Sequence, residues 1–97
     1  MEKTFQPEII EKEDIANLKF PAEEVLTDEN DRKLRNAELE RGTTLGNIDH
    51  YKIKIIFEDD TSIKQVETTI WAQGEENIVL KQGGYIPVHR IHQVKIL

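Results

Sequence analysis

The chain has 97 residues, of which 37% are hydrophobic and 33% charged, enough for one domain with a single modest core. No apolar run approaches the roughly 18 residues of a membrane span, and the opening "MEKTFQPEII" lacks the basic-then-apolar order of a secretion signal. There is no cysteine, which removes disulfides, thiolate chemistry and zinc–thiolate sites, so the expectation is a cytoplasmic fold with no metal and no cofactor.

The net charge of −6 is unevenly placed. Residues 1–40 hold twelve Asp/Glu against six Lys/Arg, whereas residues 41–97 hold seven of each. Counterion release rewards basic surfaces on nucleic acid. An acidic half points instead to a basic partner protein.

In chain order, residues 1–26 come first, a partly ordered acidic N-terminal segment. Its apolar residues Ile9, Ile10, Ile15, Leu18 and Phe20 match neither the helical nor the strand period, and Pro7 and Pro21 bracket them. Extended structure with a helical turn is expected.

Residues 27–97 read as one helix-plus-barrel domain. The helix, about 28–45, opens on Thr27 or Asp28 as N-cap, with acids in its first turn. Asp28–Arg32, Glu29–Lys33 and Asp31–Arg35 are acid-before-base pairs at i, i+4. Its thin apolar stripe is Leu34, Ala37 and Leu45, joined by the Arg41 stem, and should lie on the sheet. Gly42 either ends the helix or weakens its last turn.

After Gly46 the period is close to two. "YKIKIIFE" (51–58), "KQVETTIWA" (64–72), "IVLKQ" (78–82), "YIPV" (85–88) and "HQVKIL" (92–97) predict five short strands, separated by "DDTS", "QGEEN" and a Gly83–Gly84 turn that needs positive φ. Five short strands have too little area for two packed sheets, so closure into a small, strongly bent antiparallel barrel is expected. The inward set is Ile53, Ile55, Phe57, Val66, Ile70, Ile78, Leu80, Ile86, Val88, Ile91, Val94 and Ile96. At roughly 1.5–3 kcal/mol each on full burial, these side chains make a sufficient core before chain entropy is subtracted. Pro87 cannot donate to a ladder and marks a strand-to-strand corner.

Candidate sites are few. His89 and His92 stand three apart and His50 precedes the first strand, but no carboxylate or cysteine sits at ligand spacing, so no metal site is assigned. There is no Gly-x-Ser-x-Gly elbow and no phosphate-cradling loop. Ser62 is the only serine, and Asp59–Asp60 reads as a solvated turn. The chain is therefore expected not to be an enzyme.

Trp71 lies opposite the core, and Ile56 interrupts a polar face in the same way, so both need a cover. Together with Lys54, Tyr85, His89 and Arg90 they form the candidate binding set. The bland cover is the N-terminal segment or helix. The functional one is a partner protein or a stacked base.

An acidic helix followed by a five-strand meander ending in "GGYIPVHRIHQVKI" resembles small SH3-like or Sm-like barrels. It is similar in architecture to the Rof group of Rho-inhibiting antiterminators. The chain also resembles small bacterial proteins carrying the pattern "VETTIWA…VLK.G..IP..RI", here residues 66–72, 79–81, 84, 86–87 and 90–91. That second resemblance covers about residues 27–97 and brings no activity with it. The Rof resemblance implies a regulator of an RNA-handling protein.

The sequence thus points to an α+β, mainly β chain. Its N-terminal segment and one helix pack on a five-stranded antiparallel SH3-like/Sm-like barrel. The expected function is a non-enzymatic binding or adaptor module, a monomer or weak oligomer. Its acidic helix and Trp71 face would meet a basic protein. The alternative is direct RNA binding through the strand lysines, Arg90 and Trp71.

Overall fold

The computed structural model describes residues 6–97, so the first five residues of the expected N-terminal segment lie outside the described part. Strands β1 (Glu8–Ile9), β2 (Ile53–Glu58), β3 (Ile63–Thr68) and β7 (Ile91–Ile96) form a mixed sheet in the order β1-β3-β2-β7. Strands β4 (Ile70–Gln73), β5 (Asn77–Leu80) and β6 (Tyr85–Pro87) form a second, antiparallel sheet in the order β4-β5-β6. Helix α1 (Glu29–Asp49) lies against β4 and β7. No helix among the described residues is long and apolar enough to cross a membrane.

The expected closed, five-stranded antiparallel barrel is corrected to two hydrogen-bonded sheets. Thr69 separates β3 from β4 and lies in neither strand, so one long run of chain bends from the first sheet into the second. A register shift between Ile70 and Ala72 sharpens that bend. On the other side Pro87 ends β6 after three residues, and a short 3-10 turn (Val88–Arg90) carries the chain into β7. The positive φ of Gly83 and Gly84, joined by Gln82, builds the β5–β6 turn.

The expected core forms between the sheets. Ten of its twelve side chains are buried, and Val88 and Ile96 pack against them partly covered. Leu39 of α1 and Ile15 complete the cluster.

The N-terminal segment is more ordered than its sequence suggests. β1 adds a parallel edge strand, Glu8 beside Lys64 and Ile9 beside Gln65, so the sheet is not purely antiparallel. A 3-10 helix (Lys12–Asn17) follows and buries Ile15, while Ile10, Leu18 and Phe20 pack on the core and the Phe20 ring sits 6.0 Å from that of Phe57. Neither sequence period fits because the segment follows the surface it covers and not a repeat of its own.

Helix α1 differs from expectation in extent and in facing. Asp28 is the N-cap, accepting from the N–H groups of Asn30 and Asp31 at 2.7 and 3.4 Å. The helix continues through Gly42 to Asp49, and His50 closes it in the left-handed conformation. The buried stripe is Arg35, Leu39, Gly42 and Gly46. Leu34, 62% exposed, Ala37 and Arg41 face solvent, and Leu45 is only half-buried.

The glycines account for this rotation. A Cβ on Gly42 would lie 3.3 Å from Ile53 Cδ1, and one on Gly46 would lie 2.4 Å from the Ile70 carbonyl oxygen. At these two positions the helix backbone rests so closely on β2 and β4 that no side chain fits, and Leu39 and Arg35 take the inward line only further towards the N-terminus.

Gly46→Ala is expected to lower stability by about 1–3 kcal/mol, since overpacking against backbone has little room to relax. An unobstructed helical Gly→Ala would instead stabilise by up to about 1 kcal/mol, so the sign of the change is diagnostic. Leu34→Ala should stay within about 0.5 kcal/mol. Thermal denaturation followed by circular dichroism measures all three chains.

Candidate binding surface

The structure disperses the candidate set of Trp71, Ile56, Lys54, Tyr85, His89 and Arg90. Ile56 is buried on β2 with Gln65 and Gln93 as its strand neighbours, so it offers no exposed anchor. Lys54 is half-buried in a row across the first sheet between Glu67 and Lys95. Both belong to the first sheet, whereas Trp71 and Tyr85 belong to the second.

Arg90 is a structural residue and not a free cation. It is 5% exposed, and its guanidinium donates from Nε to the Glu58 carbonyl at 3.0 Å, from Nη1 to the Glu23 carbonyl at 2.8 Å and from Nη2 to the Asp59 carbonyl at 3.3 Å. The fork thus ties the N-terminal segment to the β2–β3 turn, a task suited to five donors in one plane. The Glu58 carboxylate lies 3.7 Å away and also bonds His92 Nε2 at 2.8 Å.

His89 is engaged as well. Its Nε2 donates to the Pro21 carbonyl at 3.0 Å, and its own carbonyl accepts from Val25 N–H at 2.9 Å. His50 is the exposed helix cap, so the three histidines serve three separate places. Among the described residues no three His, Asp or Glu side chains converge as a metal site.

Two polar clusters were not visible in the sequence. Arg35, expected to pair with Asp31, donates both terminal nitrogens to Glu24, eleven residues upstream, at 2.7 Å each. Burial pushes the Glu24 carboxyl up, but the Arg35 bonds and the backbone N–H groups of Leu26 and Val25 outweigh it and hold Glu24 below the usual carboxylate range.

The second cluster corrects the reading of Asp59 as a solvated acid. Asp59 is buried and accepts from the N–H groups of Thr61 and Ser62 at 3.0 and 2.9 Å and from Lys64 Nζ at 3.1 Å. Lys64 also donates to Ser62 Oγ at 2.7 Å. Burial raises the Asp59 carboxyl, yet these donors together bring it from 3.8 down to about 2. The group is a turn lock.

What remains outward is the far face of the second sheet. Ala72 pairs with Val79 and Val79 with Tyr85, which sets three apolar residues in a row across β4, β5 and β6. Tyr85 is 63% exposed, and Trp71, beside Ala72 at the register shift, is 46% exposed. Lys81 follows in the next turn, its N–H bonded to the Thr69 carbonyl at 2.9 Å. Around the end of the same sheet runs an open groove of about 890 Å³ between α1 and the β4–β5 turn. Gln73, Glu75, Glu76 and Glu40 line it, with Lys33 and Arg35 as its cations.

The low Asp59 value predicts acid sensitivity. A carboxylate whose folded value lies below its unfolded one stabilises the fold fully above pH 3.8, and that contribution is lost as pH falls towards about 2. Asp59→Asn should cost about 2 kcal/mol or more at neutral pH, with the difference from wild type shrinking over that acidic window. Urea unfolding at a series of pH values measures it.

Compared with protein-family models, with curated proteins and with solved structures, the chain matches none.

Proposed function

We propose that the protein is a non-enzymatic binding module whose contact surface is the Trp71–Val79–Tyr85 face, with a basic protein as its partner. The observation that carries this reading is a pair of large aromatic side chains, 46% and 63% exposed, on one small sheet. Half-exposed tryptophan and tyrosine are the residue types that anchor interfaces. The neighbouring groove carries Glu40, Glu75 and Glu76, and the net charge of −6 favours a cationic partner.

The charge is more local than "acidic helix" implies. Residues 29–49 hold five acids and four bases, whereas residues 1–28 hold eight acids and three bases. The N-terminal segment, rather than α1, supplies most of the negative field.

The strand order supports a likeness to an SH3-like or Sm-like barrel left open. β2 lies between β3 and β7, β5 lies between β4 and β6, and a 3-10 turn precedes the last strand. With the resemblance to the Rof group, this makes a basic RNA-handling protein the partner class of choice. Fold likeness contributes less to that choice than the surface does.

Direct RNA binding is the second reading. It is favoured by two rings on a sheet face with Lys81 in the adjoining turn, an arrangement on which bases stack. The net negative charge opposes it.

Affinity capture compares the wild-type chain with Trp71→Ala and Tyr85→Ala. The protein reading expects basic proteins recovered by the wild type to drop at least about tenfold with either substitution, a loss of about 1.4 kcal/mol or more. Equal recovery by all three chains refutes it. A gel shift with a mixed RNA pool at low salt, abolished by the same substitutions, would favour the second reading instead.

A further inference from the structure

The apolar stripe legible in the sequence of α1 does not lie on the sheets. Leu34, Ala37, Arg41, Leu45 and Ile48 fall within about 80° of one another at 3.6 residues per turn. They point roughly 130° away from the buried line of Arg35, Leu39, Gly42 and Gly46. Leu34 is 62% and Ile48 66% exposed, Ala37 and Arg41 are exposed, and Leu45 is half-buried. The helix thus has two separate faces, one of Arg35, Leu39 and two glycines turned to its own fold and one, mostly apolar, turned largely to solvent.

We infer that this outer stripe of α1 is the contact surface for a second copy of the chain, paired as two antiparallel helices about a two-fold axis at Arg41. The residues are self-complementary in that register. Seven residues on either side of Arg41 stand Leu34 and Ile48, and four on either side stand Ala37 and Leu45. An antiparallel pair therefore sets Leu34 against Ile48 of the second copy, and Ala37, which lets the backbones approach, against Leu45 of the second copy.

Charge agrees with the same register. Among the described residues, neither Glu38 nor Arg41 has an ion-pair partner within its own chain. Glu38 stands on the flank of the stripe, so in the pair it lies about 4.5 Å along the axis from Arg41 of the second copy. Each guanidinium then meets a carboxylate across the axis, which offsets the approach of the two Arg41 side chains. The two Arg41 side chains meet at one level in either direction, but a parallel pair would set Leu45 against Leu45 and Ala37 against Ala37, whereas the antiparallel pair sets small against large at both positions.

The contact runs about 21 Å along the helix, fourteen residues at 1.5 Å each. Such a length falls at the small end of interface sizes, so the dimer is reversible and concentration-dependent. A two-fold pair is also the commonest closed arrangement and leaves no further apolar stripe on α1. The inference does not depend on the Trp71 face, which lies on the second sheet.

Sedimentation equilibrium of the 97-residue chain up to millimolar concentration tests the pairing. The wild type is expected to rise from the chain mass to twice that mass. Leu34→Glu and Ile48→Glu, at positions already exposed, should stay at the chain mass while keeping the wild-type melting temperature. Glu38→Arg and Arg41→Glu should each weaken association at least about tenfold, and the double exchange should restore it. A wild-type chain that remains monomeric throughout overturns the inference, as does undiminished association of the Leu34→Glu and Ile48→Glu chains. Failure of the double exchange to recover association overturns the Glu38–Arg41 contact across the axis.

Discussion

The approach of the Gly46 backbone to the carbonyl of Ile70 is the contact on which the arrangement of the molecule depends. It leaves no room for a side chain between α1 and β4, and so fixes which line of the helix turns inward. Arg35, Leu39, Gly42 and Gly46 follow from it. So does the outward position of Leu34, Ala37, Arg41 and Ile48. A helix usually adheres by its largest apolar residues. Here backbone proximity substitutes for side-chain volume, and Leu39 alone fills the gap to the core.

A second constraint acts at the opposite end of the chain. The N-terminal segment has no strong period and little regular structure, yet it is bound at many points. Arg90 holds the Glu23 carbonyl, Arg35 holds the Glu24 side chain, and Arg32 donates to the Leu26 carbonyl at 2.9 Å. His89 and Val25 add two further bonds between the segment and the 3-10 turn before β7. Buried donors without partners would be costly; carbonyls of the segment accept from Arg90 and Arg32 and the Glu24 carboxylate from both terminal nitrogens of Arg35, while Ile15 and Phe20 cover apolar surface. Arg35 and Arg90 are thereby directed inward, while Glu8, Glu11, Glu13, Asp14 and Glu23 of the segment stay exposed.

These two constraints leave distinct outer surfaces. Trp71, Val79 and Tyr85 occupy the far side of the second sheet, while the Leu34–Ile48 stripe runs along α1. The Asp59–Lys64 turn and the Arg90 fork are polar but inward, and they serve the fold. Sorting polar residues by burial separates architecture from candidate contact surfaces more cleanly than residue type does. Arginine and histidine beside an exposed tyrosine look functional in "GGYIPVHRI", and only the tyrosine faces solvent to a large extent.

Local pattern alone placed most of the strand positions after Gly46, the core and the region of the helix start, though the single strand read over 64–72 divides at Thr69 and β1 had no signal. The period of two after Gly46 marked twelve inward residues, all of which contact or enter the core, because alternation is enforced locally by the pleat. The N-cap at Asp28, one of the two candidates Thr27 and Asp28, and the glycine turn at 83–84 are local effects of the same kind. Trp71 opposite the core was legible for that reason too. Tertiary structure decided the facing of α1, the ordering of residues 8–26, the division into two sheets, and the roles of Arg35, Arg90, His89 and Asp59. Each of these rests on partners distant in sequence: Gly46 on Ile70, Arg35 on Glu24, Arg90 on Glu23, His89 on Pro21. Periodicity reports which side of an element is apolar. Whether that side faces the protein's own core or another molecule depends on how closely two backbones can approach, and that distance is set only when the chain is folded.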